Sequence, residues 1–127
     1  LKILIIGGLG QGKLAYARSR YGIGEEDAGG PDTPSEALWQ KPLLYDVHLL
    51  IRKQSHIGGG GGSVLLNKLA GRDSWIVICD EVGCGVVPMD PMERRWREEV
   101  GRVCCALAKR ADIVERVYLG IAQRIKG

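Results

Sequence analysis

The sequence has no phenylalanine and only two histidines and two methionines. The missing phenylalanine bears on no function, but other scarcities do. No apolar run approaches the roughly 20 residues that a membrane-spanning helix needs, so a bilayer span is excluded. The opening LKILIIGG is too short for a secretory signal and runs into glycine where a cleavage site would stand. No pair of cysteines has C-x-x-C spacing, because Cys79, Cys84, Cys104 and Cys105 stand too far apart or adjacent. That argues against a zinc knuckle or a dithiol redox site and for reduced, mostly buried thiols, as the cytosol favours. A cytoplasmic location is the expectation. Neither sign of charge dominates: 18 basic and 15 acidic residues, mixed along the chain, give a net charge of +3. A nucleic-acid-binding surface is therefore not expected.

With 127 residues, 45% of them hydrophobic and 26% charged, the chain has room for one globular domain. Leu1 to Ile6 reads as a buried strand and Gly7 to Gly12 as a glycine-rich turn. Lys13 to Tyr21 suits a helix, with Gly22 as its stop. Residues 22–42 are rich in Gly, Pro and acids and read as a long loop, with one short helical turn near Ser35 to Trp39. The spacing of Leu43, Leu44, Val47, Leu50 and Ile51 predicts a helix over 43–53, with Pro42 in its first turn. The glycines at 58–62, followed by Ser63, read as a flexible linker. Such a run is either a natural low-complexity insertion or an engineered replacement for a removed segment. Val64 to Leu69 predicts a short helix, and Trp75 to Cys79 a second buried strand. Asp90-Pro91-Met92-Glu93 is a helix start, and the apolar repeat from Met92 to Ala111 continues it. Ile113 to Leu119 is a third strand. Strands separated by helices imply an α/β fold, a parallel sheet flanked by helices. A sheet this thin leaves its edges to be covered by a partner subunit or by the 22–42 loop.

The segment Gly7-Gly8-Leu9-Gly10-Gln11-Gly12-Lys13 follows a strand and opens a helix. That is the setting in which G-x-x-x-x-G-K cradles a polyphosphate. Glycines turn backbone N–H groups inward, and Lys13 adds a point charge. Gly7, Gly8, Leu9, Gly10, Gln11, Gly12, Lys13 and Leu14 are the candidate nucleotide-binding residues, for ATP or GTP. The residue after Lys13 would normally carry a hydroxyl for Mg2+. Here it is Leu14, which weakens the case for the metal. Asp80 and Glu81 close the second strand, on the sheet edge that carries the turn. Asp80 is the candidate metal ligand, and either acid could polarise a nucleophile.

From Glu81 onward the chain resembles the adenosylcobinamide kinase/adenosylcobinamide-phosphate guanylyltransferase family. The residues that carry this are Glu81-Val82-Gly83-Cys84-Gly85-Val86-Val87-Pro88, Arg94, Arg97, Gly101-Arg102-Val103, Leu107-Ala108, Ala111-Asp112, Gly120-Ile121 and Ile125-Lys126. The resemblance implies a P-loop NTPase-like α/β fold, here reduced in size, and a nucleotide-dependent kinase of cobalamin biosynthesis. Its substrate would be adenosylcobinamide or a similar corrinoid. In many members a second step transfers GMP from GTP through a guanylylated histidine. A homo-oligomer, a trimer in the best-known case, is implied as well. Glu81, Gly83, Gly85, Arg97 and Arg102 are the candidate substrate-binding residues, and Lys13, Asp80, Glu81 and His48 the catalytic candidates.

The chain departs from the family pattern in places. Leu14 replaces the hydroxyl residue, and Cys104 follows the G-R-V piece where the family often has Asn. The segment bearing the guanylylated histidine has no counterpart. Of the two histidines, His48 borders the apolar face of its predicted helix and is the better candidate, while His56 adjoins the glycine run. The competing reading is a nucleotide- or anion-binding relative without catalysis.

Overall fold

The computed structural model describes residues 1–55, 60–82 and 90–127. A six-stranded sheet in the order β2-β3-β4-β1-β5-β6 carries helices on both faces. At its centre β1 (Lys2–Gly7) runs parallel to both β4 (Trp75–Asp80) and β5 (Ile113–Tyr118). These strands are near-continuous apolar runs because both of their faces are covered. Leu4, Val77, Cys79 and Val114 point toward α3 (Val47–Gln54), α4 (Gly61–Ala70) and α5 (Pro91–Arg110). Ile3, Ile5, Ile76, Ile78 and Val117 point the other way, toward α1 (Lys13–Tyr21). The fold is α/β with a mostly parallel sheet, as the alternation of strands and helices implies.

Helix ends follow local chemistry. Gly22 closes α1 with φ 67°, its N–H bonded to the Arg18 carbonyl. Asp90 caps α5 by accepting the Met92 N–H at 2.9 Å, with Pro91 in the first helical position.

The structure revises four expectations. Leu43–Leu44 is a short strand, β3, and α3 starts only at Val47. Leu43 and Leu44 are both fully buried, on opposite faces of the sheet, which a strand between two others requires and a helix does not. Pro42 leads into this strand and accepts the Ile76 N–H at 3.0 Å. The 22–42 segment holds the expected short helix, α2 (Ser35–Leu38), and also an edge strand, β2 (Ala28–Gly29). That loop thereby covers one side of the sheet. A sixth strand, β6 (Ile121–Lys126), folds back antiparallel on β5 and forms the other side. Finally, Gly61, Gly62 and Ser63 are the first turn of α4, so the linker reading fails for them. His56 and Gly58, along with the rest of 56–59, lie outside the described residues.

Helix α4 can start on glycine because its neighbours satisfy its free N–H groups. The Glu99 carboxylate of α5 accepts from Gly62 at 2.9 Å and Gly60 at 3.4 Å. The Ser55 hydroxyl accepts from Gly61 at 3.0 Å. An acid at a helix N-terminus is also favoured by the helix dipole. Among the described residues, no helix is long and apolar enough to cross a membrane.

Candidate functional site

Parallel pairing brings the ends of three strands to one edge. Gly7 on β1 stands opposite Asp80 on β4, and β5 flanks β1 on its other side. The turn that follows β1 needs its glycines. Gly10 (φ 74°) and Gly12 (φ 84°) occupy the left-handed region. A Cβ on Gly7 would stand 2.5 Å from the Val117 carbonyl oxygen. The turn walls a cleft of about 260 Å³, lined among others by Gly10, Gly12, Lys13, Tyr45, Asp46 and Asp80.

Lys13 is only 7% exposed. A buried ammonium needs partners, and it has two: Asp80 Oδ1 at 2.7 Å and the Gly8 carbonyl oxygen at 2.7 Å. Lysine carries three N–H donors, so these contacts leave one for a ligand. His48 is buried behind Asp80. Its Nδ1 accepts the Asp80 backbone N–H at 3.2 Å, and its Nε2 faces Asp80 Oδ2 at 3.5 Å. The imidazole proton therefore sits on Nε2, the ring nitrogen nearer the carboxylate. Burial holds the His48 pKa below its usual value, against the upward pull of Asp80. Trp96 of α5 fixes this helix from behind, donating its indole N–H to the His48 carbonyl at 2.9 Å.

Asp46 completes the group. Sequence reasoning missed it because the helix was expected to begin at residue 43. With the true start at Val47, Asp46 is the residue before the helix, where an aspartate usually caps. It makes no such cap bond, and its φ is 50°. Ligand atoms of Asp46, His48 and Asp80 all lie within 4.8 Å of one another. Not all of this set suits magnesium, which prefers oxygen. The two carboxylates fit. His48 Nδ1 is already an acceptor, and Leu14 has a half-buried aliphatic side chain packed under the sheet.

The other candidates fall elsewhere. Leu9 projects into solvent, 87% exposed, although it also lines the cleft. Gln11 ties the turn to the β5–β6 hairpin: its side-chain oxygen accepts the Leu119 N–H at 2.7 Å, and its carbonyl accepts the Gly120 N–H at 2.9 Å. Glu81 turns away from the cleft and pairs with Arg116 through two bonds of 2.8 and 3.1 Å. Arg97 is half-buried and Arg102 exposed, both on α5, and neither lines the cleft. Gly83, Gly85 and Pro88 lie outside the described residues, as does Cys84. Of the other cysteines, Cys79 is buried, Cys104 half-buried and Cys105 exposed, all free thiols.

The family model for cobinamide kinase / cobinamide phosphate guanyltransferase matches residues 62–125, just over half of the chain. The chain belongs to this family. Membership places it at the level of cobinamide kinases and guanyltransferases of cobalamin biosynthesis, the role that the resemblance from Glu81 onward implies. The matched span takes in Asp80, Glu81, Arg97, Arg102 and the β5–β6 hairpin, while the glycine turn, Asp46 and His48 precede it. Comparison with curated proteins gives no match.

Proposed function

We propose that the chain is a nucleotide-dependent kinase of adenosylcobinamide. One observation carries this reading: a buried lysine at the mouth of a glycine turn, paired to an aspartate on the adjoining strand end. The turn and the N-terminus of α1 receive the triphosphate of ATP or GTP on backbone N–H groups. Lys13 turns its remaining N–H to an outer phosphate and keeps Asp80 as its counter-charge. Asp46 and Asp80 are the residues that would hold magnesium. Magnesium, when bound, supplies neutralisation of charge on the transferring phosphoryl group. His48, through its two contacts with Asp80, fixes the direction of that carboxylate. A buried imidazole with a proton on Nε2 and its Nδ1 lone pair engaged by the Asp80 N–H is a poor nucleophile, so guanylyl transfer through His48 does not form part of this proposal.

Calorimetric titration with GTP and ATP tests the reading. Lys13→Ala is expected to weaken triphosphate binding at least tenfold, on the order of 1.4 kcal/mol for a lost charge-assisted contact. Unchanged affinity would remove the phosphate site. Turnover of the triphosphate should depend on added adenosylcobinamide.

Leu14 favours a second reading, a relative that holds nucleotide without chemistry. Its side chain belongs to the apolar cluster under α1 and brings no oxygen to the cleft. Triphosphate affinity indifferent to magnesium, with no cobinamide-dependent turnover, would select this alternative.

A further inference from the structure

Beyond the glycine turn, the proposed reaction leaves the exposed face of the β5–β6 hairpin unused. Tyr118, Leu119 and Ile121 are 64%, 70% and 72% exposed. Large apolar groups held this far into water mark a surface that meets something else. Pairing of Tyr118 with Ile121 and of Arg116 with Gln123 puts these side chains on one face of the hairpin. There they line an open groove of about 280 Å³. Its floor is aliphatic and aromatic, and its margin is polar.

The groove adjoins the cleft. Leu119 and Gly120, at the tip of the hairpin, bond to the side chain and main chain of Gln11, which itself lines the cleft. Gly120 Cα would stand 3.5 Å from a Cβ on Gly12. Leu119 takes φ 54°, a costly conformation for a leucine. The turn's own bonds hold it there, with the side chain in solvent. Leu119 and Gly120 (φ 74°) are the two central residues of this tight turn, which requires positive φ at both and leaves the leucine at its tip.

We propose that this face is the corrinoid subsite, with Tyr118, Leu119 and Ile121 under one face of the macrocycle and Arg116 and Gln123 at its edge. The inference rests on the kinase reading above. A corrin ring is broad and apolar on its faces and carries amide side chains around its rim. An open apolar floor with the Gln123 amide and the Glu81–Arg116 pair at its margin matches that chemistry. The groove is too small to engulf such a ligand, so the ring rests on it. Phosphoryl transfer needs its two substrates in contact, and Gln11 and Leu119 are the junction where the two depressions meet.

Equilibrium dialysis against dicyanocobinamide, read by corrinoid absorbance, tests this beside GTP titration of the same samples. Tyr118→Ser and Ile121→Asp are both on exposed positions. Each is expected to raise the dicyanocobinamide Kd at least tenfold while changing GTP affinity less than twofold, which also reports an intact fold. Dicyanocobinamide affinity within twofold of wild type in both variants would overturn the assignment, as would an unmodified chain that does not bind this probe. Equal loss of both ligands would also overturn it, since the hairpin would then only brace the turn. A fall in sedimenting mass alongside the loss would make the face an interface between copies instead. Lys13→Ala separates the two readings: if only the phosphate site is wrong, GTP affinity ignores that change and the dicyanocobinamide results still stand.

Discussion

A Cβ on Gly62 would stand 2.6 Å from Val103 Cγ2, and one on Gly61 would stand 2.0 Å from the Ile51 carbonyl oxygen. Neither distance is sterically possible, so the glycines let α4 approach α3 and α5 more closely than any other residue would. Gly61→Ala and Gly62→Ala are each expected to destabilise the fold by about 1–3 kcal/mol. Gly101 supplies the contrast, because a Cβ there meets nothing within 4 Å. Gly101→Ala, mid-helix and exposed, is expected to stabilise by about 0.5–1 kcal/mol. Urea unfolding of the three variants decides the matter, and a Gly61→Ala protein as stable as wild type would remove the close-approach argument. These residues also mark a limit of sequence reading. A glycine run carries no side-chain periodicity, so a helix made of it looks like a linker until its neighbours are known. The same limit hid Asp46, whose importance depends on a helix boundary displaced by the two leucines before it. The turn from Gly7 to Lys13 was legible because its chemistry is local: strand, glycines, lysine and helix all fall within a few residues of one another.

At the scale of elements, α1 is fastened to the β5–β6 pair by a buried carboxylate. Glu115 on β5 is 3% exposed and accepts hydrogen bonds from Tyr16, at 2.7 Å, and Tyr21, both on α1. Arg124 on β6 lies 3.5 Å away. Burial pushes the Glu115 pKa up, but the Tyr21 and Tyr16 hydroxyls together with Arg124 outweigh it and hold the group below its ordinary 4.5. A carboxylate depressed in the folded state binds fewer protons than in the unfolded chain. Its contribution is therefore present above pH 4.5 and is lost as the pH falls through the lower folded value. The tyrosines act in the opposite direction. Burial, then the hydrogen bond to Glu115, raises both phenols above 10.0, so their contribution fades as the pH climbs past that value. Glu115→Gln is expected to flatten the acid limb of stability against pH and to cost about 1–3 kcal/mol at neutral pH. An unchanged acid limb in denaturant titrations would show that α1 is held by other means. Little of this fastening could be read beforehand. Glu115 sits in a strand whose alternation was legible, but its partners lie 94 and 99 residues away along the chain. The long helix from Asp90 and the three central strands were legible, since caps and apolar runs act locally. Strands β2, β3 and β6 were not, being two residues long or fully exposed on one face, with pairing partners that only the folded sheet reveals.

Across the whole molecule the two faces of the sheet are unequal. On one side α3, α4 and α5 pack together over a continuous apolar layer that includes Leu50, Leu65, Val103 and Leu107. On the other, α1 lies over a smaller layer, and the glycine turn leads directly into its first residue. Local opening follows the side with less buried apolar contact. Amides of β1, β4 and α5 are therefore expected to exchange with solvent only through global unfolding, and those of α1 through a cheaper local opening. A triphosphate seated on the turn binds the closed form of that half alone, so it slows the opening by a factor of about one plus the ratio of GTP concentration to Kd. At 100 times its Kd, GTP is expected to slow exchange across residues 8–17 by up to about 100-fold. The α4 and α5 amides should show no direct contact effect, slowing only insofar as global stability rises. Hydrogen exchange followed by mass spectrometry, with and without GTP, measures both halves in one sample. Protection appearing first in α4 or α5, with residues 8–17 unchanged, would place the nucleotide on the wrong face of the sheet for the lysine, the two aspartates and the hairpin to act together.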